Sequence, residues 1–176
     1  MTDISKLLFA CVLILTLFAC REEEIVDQSL NEQDRAFLRE ATYINQAEIE
    51  MGELASTQGQ HDEVQGHGQQ MVTFHTSAQG ELNGLANLKG EAVPDTLQTA
   101  DRELVNLLSG LEGFQFDSAY LHHQVIRHGE TRSLFQGYVD NANDPDLLDY
   151  AVTNLPDIII HQERAENLRQ ELGMGE

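Results

Sequence analysis

An all-α bundle of long helices is the fold this sequence predicts, and three observations carry that expectation. Aromatic residues make up 6% of the 176 residues, Trp is absent and there are only 3 Pro, so strand formers and helix breakers are both scarce. Apolar residues recur at alternating four- and three-residue steps over four long stretches, the spacing of one helix face. Between the stretches lie short clusters of Gly, Asn, Asp and Pro, which end and restart helices.

The N-terminal segment reads as a separate object. A short polar start, "MTDISK", precedes the apolar run "LLFACVLILTLF" (7–18), too short to span a bilayer comfortably but suited to the apolar region of a secretory signal. The run ends in "LFAC" (17–20), which resembles the lipobox of bacterial lipoproteins, in which the Cys is lipidated and becomes the mature N-terminus. The expectation is a signal peptide over 1–19, then lipidated Cys20 and an acidic tether over 20–33, then a helical domain over 34–172. Cys11 would leave with the signal and Cys20 would carry lipid, so the domain holds no thiol for a disulfide or a thiolate metal site. "REEE" after Cys20 resembles the acidic stretch of some surface-exposed lipoproteins of Gram-negative bacteria.

The first long helix runs from Asp34 to about Thr57, with Phe37, Ala41, Ile44, Glu48, Met51 and Ala55 on one stripe. Gly59 stops it and Asp62 starts the second, which runs to about Leu88 through Val64, Gly68, Met71, His75, Ala78, Leu82 and Leu85. "QGHGQQ" places two glycines in its first half, a poor choice for helix stability. Gly90 and Pro94 end it, and a short helix over 95–109 uses Leu97, Leu104, Leu107 and Leu108. The third long helix spans about Phe116 to Val139, with Leu121, Val125, His128, Arg132 and Phe135 on one side. In "NANDPD", Asn143 or Asp144 can cap the fourth and Pro145 suits its first turn. That helix continues to about Leu172 through Leu148, Ala151, Leu155, Ile158, His161, Ala165 and Leu168, with Pro156 expected to kink it or shift its start. Two short loops make antiparallel hairpins, and the long link between them lets the second and third helices point the same way. That is the ferritin-like topology: a four-helix bundle with a long helix 2–3 crossover containing a short extra helix.

Each long helix carries one ionisable residue in its stripe: Glu48, His75, His128 and His161. Leu82, Phe135 and Leu168 follow the three histidines by seven positions, which puts the imidazoles on the buried faces. All four lie near their helix midpoints, within a band of roughly 5 Å along the bundle. A lone core histidine is usually just hydrogen-bonded, but one such group per helix at one height points to a shared site. Neutral imidazole and carboxylate are ligands for a divalent metal such as zinc, iron, manganese or copper. Tyr43, Tyr120, His122 and Gln124 are expected as hydrogen-bond partners around it. His61 and His67, early in the second helix, fall too far along the axis to join.

The stretches "FLREAT…AEIEMGELA" (37–55), "MVTFHTSAQGEL" (71–82), "FDSAYLHHQVIRHGETRSLF" (116–135) and "LPDIIIHQERAENL" (155–168) together resemble the bacterial family designated domain of unknown function 4142. The resemblance covers about residues 34–172. It implies a ferritin-like bundle, secreted or membrane-anchored, and marks Glu48, His75, His128 and His161 as polar core positions. It implies no established activity.

The residues three before His75, His128 and His161 are Val72, Val125 and Ile158, so the Glu-x-x-His pairs of di-iron carboxylate sites are missing. No HExxH, GxSxG or Walker-type loop occurs, and without a recognisable catalytic motif the sequence points away from an enzyme. A net charge of −20, from 30 acidic and 10 basic residues, opposes binding to nucleic acid. The expectation is an exported protein, lipid-anchored to the bacterial envelope at the outer membrane, binding a divalent metal through its Glu/His core. The alternative is a metal-free structural or protein-interaction module of the envelope, whose polar cluster fixes helix register.

Overall fold

A computed structural model describes residues 29–174. The signal peptide, the lipobox, Cys20 and most of the tether lie outside the described residues. Five helices form: α1 (Glu32–Gln58), α2 (Asp62–Lys89), α3 (Thr99–Ser109), α4 (Gly113–Asn141) and α5 (Pro145–Glu171), with no strand among the described residues. α1 pairs with α2 and α4 with α5, while α1 also lies against α4 and α2 against α5. Asp34 at the start of α1 accepts a hydrogen bond from Tyr138 at the end of α4, so those two helices are antiparallel. His67 early in α2 meets Tyr120 early in α4, so α2 and α4 run the same way. Residues 90–112, with α3 inside them, return along the molecule to make this possible.

The helix ends follow from local chemistry. Asn31 accepts from the backbone of Asp34, whose carboxylate takes the amide of Asn31 in return. The tether therefore gives way earlier than expected, and Leu30 is already in the core. Asp144 caps α5 through the amides of Asp146 and Leu147, with Pro145 at the first helical position. α2 ends at Gly90, whose φ of 69° suits a residue without Cβ. Asp117 of α4 takes the amides of Gln60 and His61 and the His61 ring, fastening the first hairpin's turn to α4.

Gly68, a weak helix former by itself, has a packing reason. A Cβ on it would stand 2.6 Å from the carbonyl oxygen of Gly52, and one on Gly52 would stand 2.8 Å from that of Gly68. The backbones of α1 and α2 touch there.

Some expectations need correction. α5 neither restarts nor breaks at Pro156, which is exposed. The carbonyl that a residue with an N–H would have paired belongs to Val152, which is half-exposed, so the lost bond falls on the solvent side of the helix. The buried stripe of α4 runs through Gln124, His128, Thr131, Phe135 and Tyr138. Arg132 is exposed and Val125 only partly buried, because a guanidinium one position off the stripe turns outward. Ile44, Leu85, Leu148 and Leu155 likewise flank the core, and α3 starts at Thr99 with Leu107 exposed.

Two apolar clusters result. One holds Phe37, Phe135, Tyr138, Leu147 and Tyr150. The other holds Met51, Val64, Phe116, Tyr120, Leu121 and Leu168. The polar layer lies between them.

Candidate metal centre

His75, His128 and His161 arrive from α2, α4 and α5, and each offers a ring nitrogen within 4.8 Å of the others. Their ring centroids are 5.5 to 6.1 Å apart. His75 and His128 are each 1% exposed, and His161 is partly buried.

The tautomers follow from the partners. Nδ1 of His75 lies 2.9 Å from Oδ1 of Asn45, and Nδ1 of His128 lies 3.1 Å from the backbone carbonyl of Gln124. Carbonyl oxygens only accept, so both Nδ1 atoms carry the proton and donate. Each Nε2 is then left with a lone pair. These two Nε2 atoms and Nδ1 of His161 are buried without a hydrogen-bond partner. Burial holds the His75 ring well below the usual imidazole pKa and brings His128 and His161 down to about 4, so all three are neutral at pH 7. The Nε2 lone pairs of His75 and His128 thus have no hydrogen-bond donor within reach, and a cation held between the rings would satisfy them. A metal ion held at about 2.0–2.1 Å from each nitrogen asks for a modest inward turn of the rings. The donor set therefore fits a metal ion.

Glu48 is buried but outside this trio. Its Oε2 accepts from Nε2 of Gln124 at 2.6 Å, while its Oε1 has no partner. Desolvation raises its pKa from 4.5 to about 7, against the opposing pull of the Gln124 amide. Of the expected surrounding residues, Gln124 does link two members, through its amide to Glu48 and its carbonyl to His128. Tyr120 bonds His67 instead, at 3.0 Å. Tyr43 lines a cavity with Glu40, Asp101 and Arg127 beside α3, away from the imidazoles. His122 is exposed against His123, because its position on α4 faces outward.

Asn45 is the partner that sequence reasoning missed. It lies beside Ile44, on the wider face that a core helix presents, and three residues before Glu48. Its Oδ1 orients His75 while its Nδ2 donates to the Tyr150 hydroxyl at 3.2 Å. His67, set aside for its distance along the axis, is 2% exposed, and its Nε2 is buried without a hydrogen-bond partner. The signal for it was its place next to Gly68 on the face turned to the core.

No curated protein matches the sequence. A crystal structure of a DUF305 fragment from Deinococcus radiodurans is similar in fold, with a TM-score of 0.73 at 10% identity over 81% of this chain and 99% of that one. At that identity the likeness concerns the fold alone. The family model described as domain of unknown function (DUF4142) matches residues 22–168, and the chain belongs to that family.

Proposed function

We propose that the protein binds one transition-metal ion through His75, His128 and His161 inside a ferritin-like four-helix bundle, and that Cys20 anchors it by lipid to the bacterial envelope. The observation that carries the metal reading is the convergence of three buried, unpartnered imidazole nitrogens. Three neutral nitrogens favour zinc or copper over manganese, which prefers oxygen ligands. Glu48, with its free Oε1, is the buried carboxylate available to offset the ion's charge or to join its ligands. Asn45 and the Gln124 carbonyl act as the outer partners that hold ligating imidazoles in one tautomer. The topology reading is supported by the parallel course of α2 and α4 and by the long link between them. The envelope reading rests on "LFAC" and the apolar run before it; no helix of the described residues is long and apolar enough to cross a membrane.

The test is metal analysis of protein purified without a His tag and loaded with zinc or copper. About one ion per chain is expected, and His128→Ala should remove it while the helical circular dichroism persists. A metal-free wild type would leave the layer as a register-fixing polar core. Cys20→Ala should release the protein from membranes, and continued membrane association would defeat the anchor.

A further inference from the structure

We infer that the ion enters and leaves along the seam between α2 and α5, with His161 as the first ligand it meets and the Phe74 ring closing that seam. This deepens the metal reading above and rests on it. The neighbours behind His75, on the α1 and α4 sides and along the bundle axis are buried. Asn45 stands behind His75 at 3% exposure, and Gln124 and Glu48 stand on the α4 and α1 side at 0% and 1%. Along the axis, Ala78 and Ile158 lie about one turn to one side, and Met71 and Ala165 to the other, all buried.

His161 differs from the other two ligands in keeping part of its surface in solvent. Beside it is Phe74, the residue before His75 on α2, itself only partly buried. The Phe74 ring meets His161 edge-on at 4.7 Å between centroids and His75 edge-on at 5.0 Å. It thus touches two of the three ligands from the solvent side. A phenyl ring supplies no ligand atom, so its part is to exclude water and to rotate aside. Asp157, exposed one turn before His161, places a negative charge close enough to act on that ring, and so draws cations to this face.

The experiment times zinc transfer from the loaded protein to the chelator 4-(2-pyridylazo)resorcinol by stopped-flow absorbance. Wild type, Phe74→Ala, Phe74→Leu and Leu85→Ala are compared, and zinc content is measured beforehand by mass spectrometry. Leu85 lines the same groove between α2 and α5, but about three helical turns along from Phe74 and the ligands, so it reports general loosening of the helix pair. Phe74→Ala should speed release about tenfold with the zinc content unchanged, Phe74→Leu should fall between it and wild type, and Leu85→Ala should leave the rate alone. Equal acceleration by Leu85→Ala, or no acceleration by either Phe74 variant, overturns the route. If Phe74→Ala does not fold, Phe74→Leu alone decides. Wild-type protein that takes up no zinc is recognised at loading, before any rate is timed, and overturns the metal reading together with this inference.

Discussion

Where α2 meets the start of α5, Asp144 accepts two backbone amides and pairs with Lys89 at 2.7 Å, and Lys89 also reaches Asp146 at 2.6 Å. Nearby, Asp34 takes the Tyr138 hydroxyl at 2.7 Å. At the other end Asp117, fully buried, is held by two amides and an imidazole. Halfway between, the pattern reverses. Among the fully buried side chains that leave a nitrogen or oxygen without a partner, Glu48, His75, Gln124 and His128 belong to the middle layer, and His67 follows about two turns away along α2. The remaining unpartnered atoms are on partly buried residues such as Gln46, Gln58 and Arg169, and on His161 of the layer itself. Buried polar groups are costly unless hydrogen-bonded, so a fold that meets this condition at both ends and breaks it in one layer has kept that layer for something other than stability.

This contrast between ends and middle can be broken by measurement. The largest effect is expected from Phe135→Ala. Its ring is 2% exposed and packs edge-on against Phe37, so truncation should cost about 3–5 kcal/mol in urea unfolding. A loss below about 1 kcal/mol would mean that the apolar ends do not hold the fold. Next comes Asp144→Ala, which removes the cap of α5 and one of two partners of buried Lys89, for about 1–3 kcal/mol.

The smallest effect belongs to the middle layer and depends on pH. Glu48 has a folded pKa of about 7 against 4.5 unfolded, so between those values the folded chain holds the extra proton. Glu48 therefore lowers stability as pH rises through that window. His128 and His161 go the opposite way, from 6.5 unfolded to about 4 folded, and their contribution is lost as pH falls through that range. With His67 and His75 shifted in the same direction, the histidines prevail, and ion-free protein should weaken as pH drops from 7 to 5. Glu48→Gln should raise stability at pH 8 by on the order of 1 kcal/mol and make the decline toward acid steeper. Equal pH profiles for the variant and wild type would remove Glu48 from the buried layer.

The three imidazoles were legible because each sits in an apolar stripe with an apolar residue seven positions on, and two helical turns return a side chain to nearly the same face. Asn45 was not, since its neighbour Ile44 looked the better core residue and only contact with His75 and Tyr150 reveals that the polar position is the inner one. Arg132 shows the converse error. A four-residue step from His128 lands as near the stripe as Thr131 does, and the pattern could not say that the hydroxyl turns in, satisfied by the Arg127 carbonyl, while the guanidinium turns out.

Helix number, length and polarity were determined by the sequence itself, because the 3.6-residue period, the Asn and Asp caps and the Gly stops act within a few residues of one another. Which side chains share a layer was decided only by the tertiary structure. Glu48 and His75 are each central on their helices, yet a ring of nitrogens within 4.8 Å admits one and leaves the other with Gln124. That outcome depends on how the two hairpins rotate and slide against each other, which summed packing over both apolar clusters sets and no local stretch encodes.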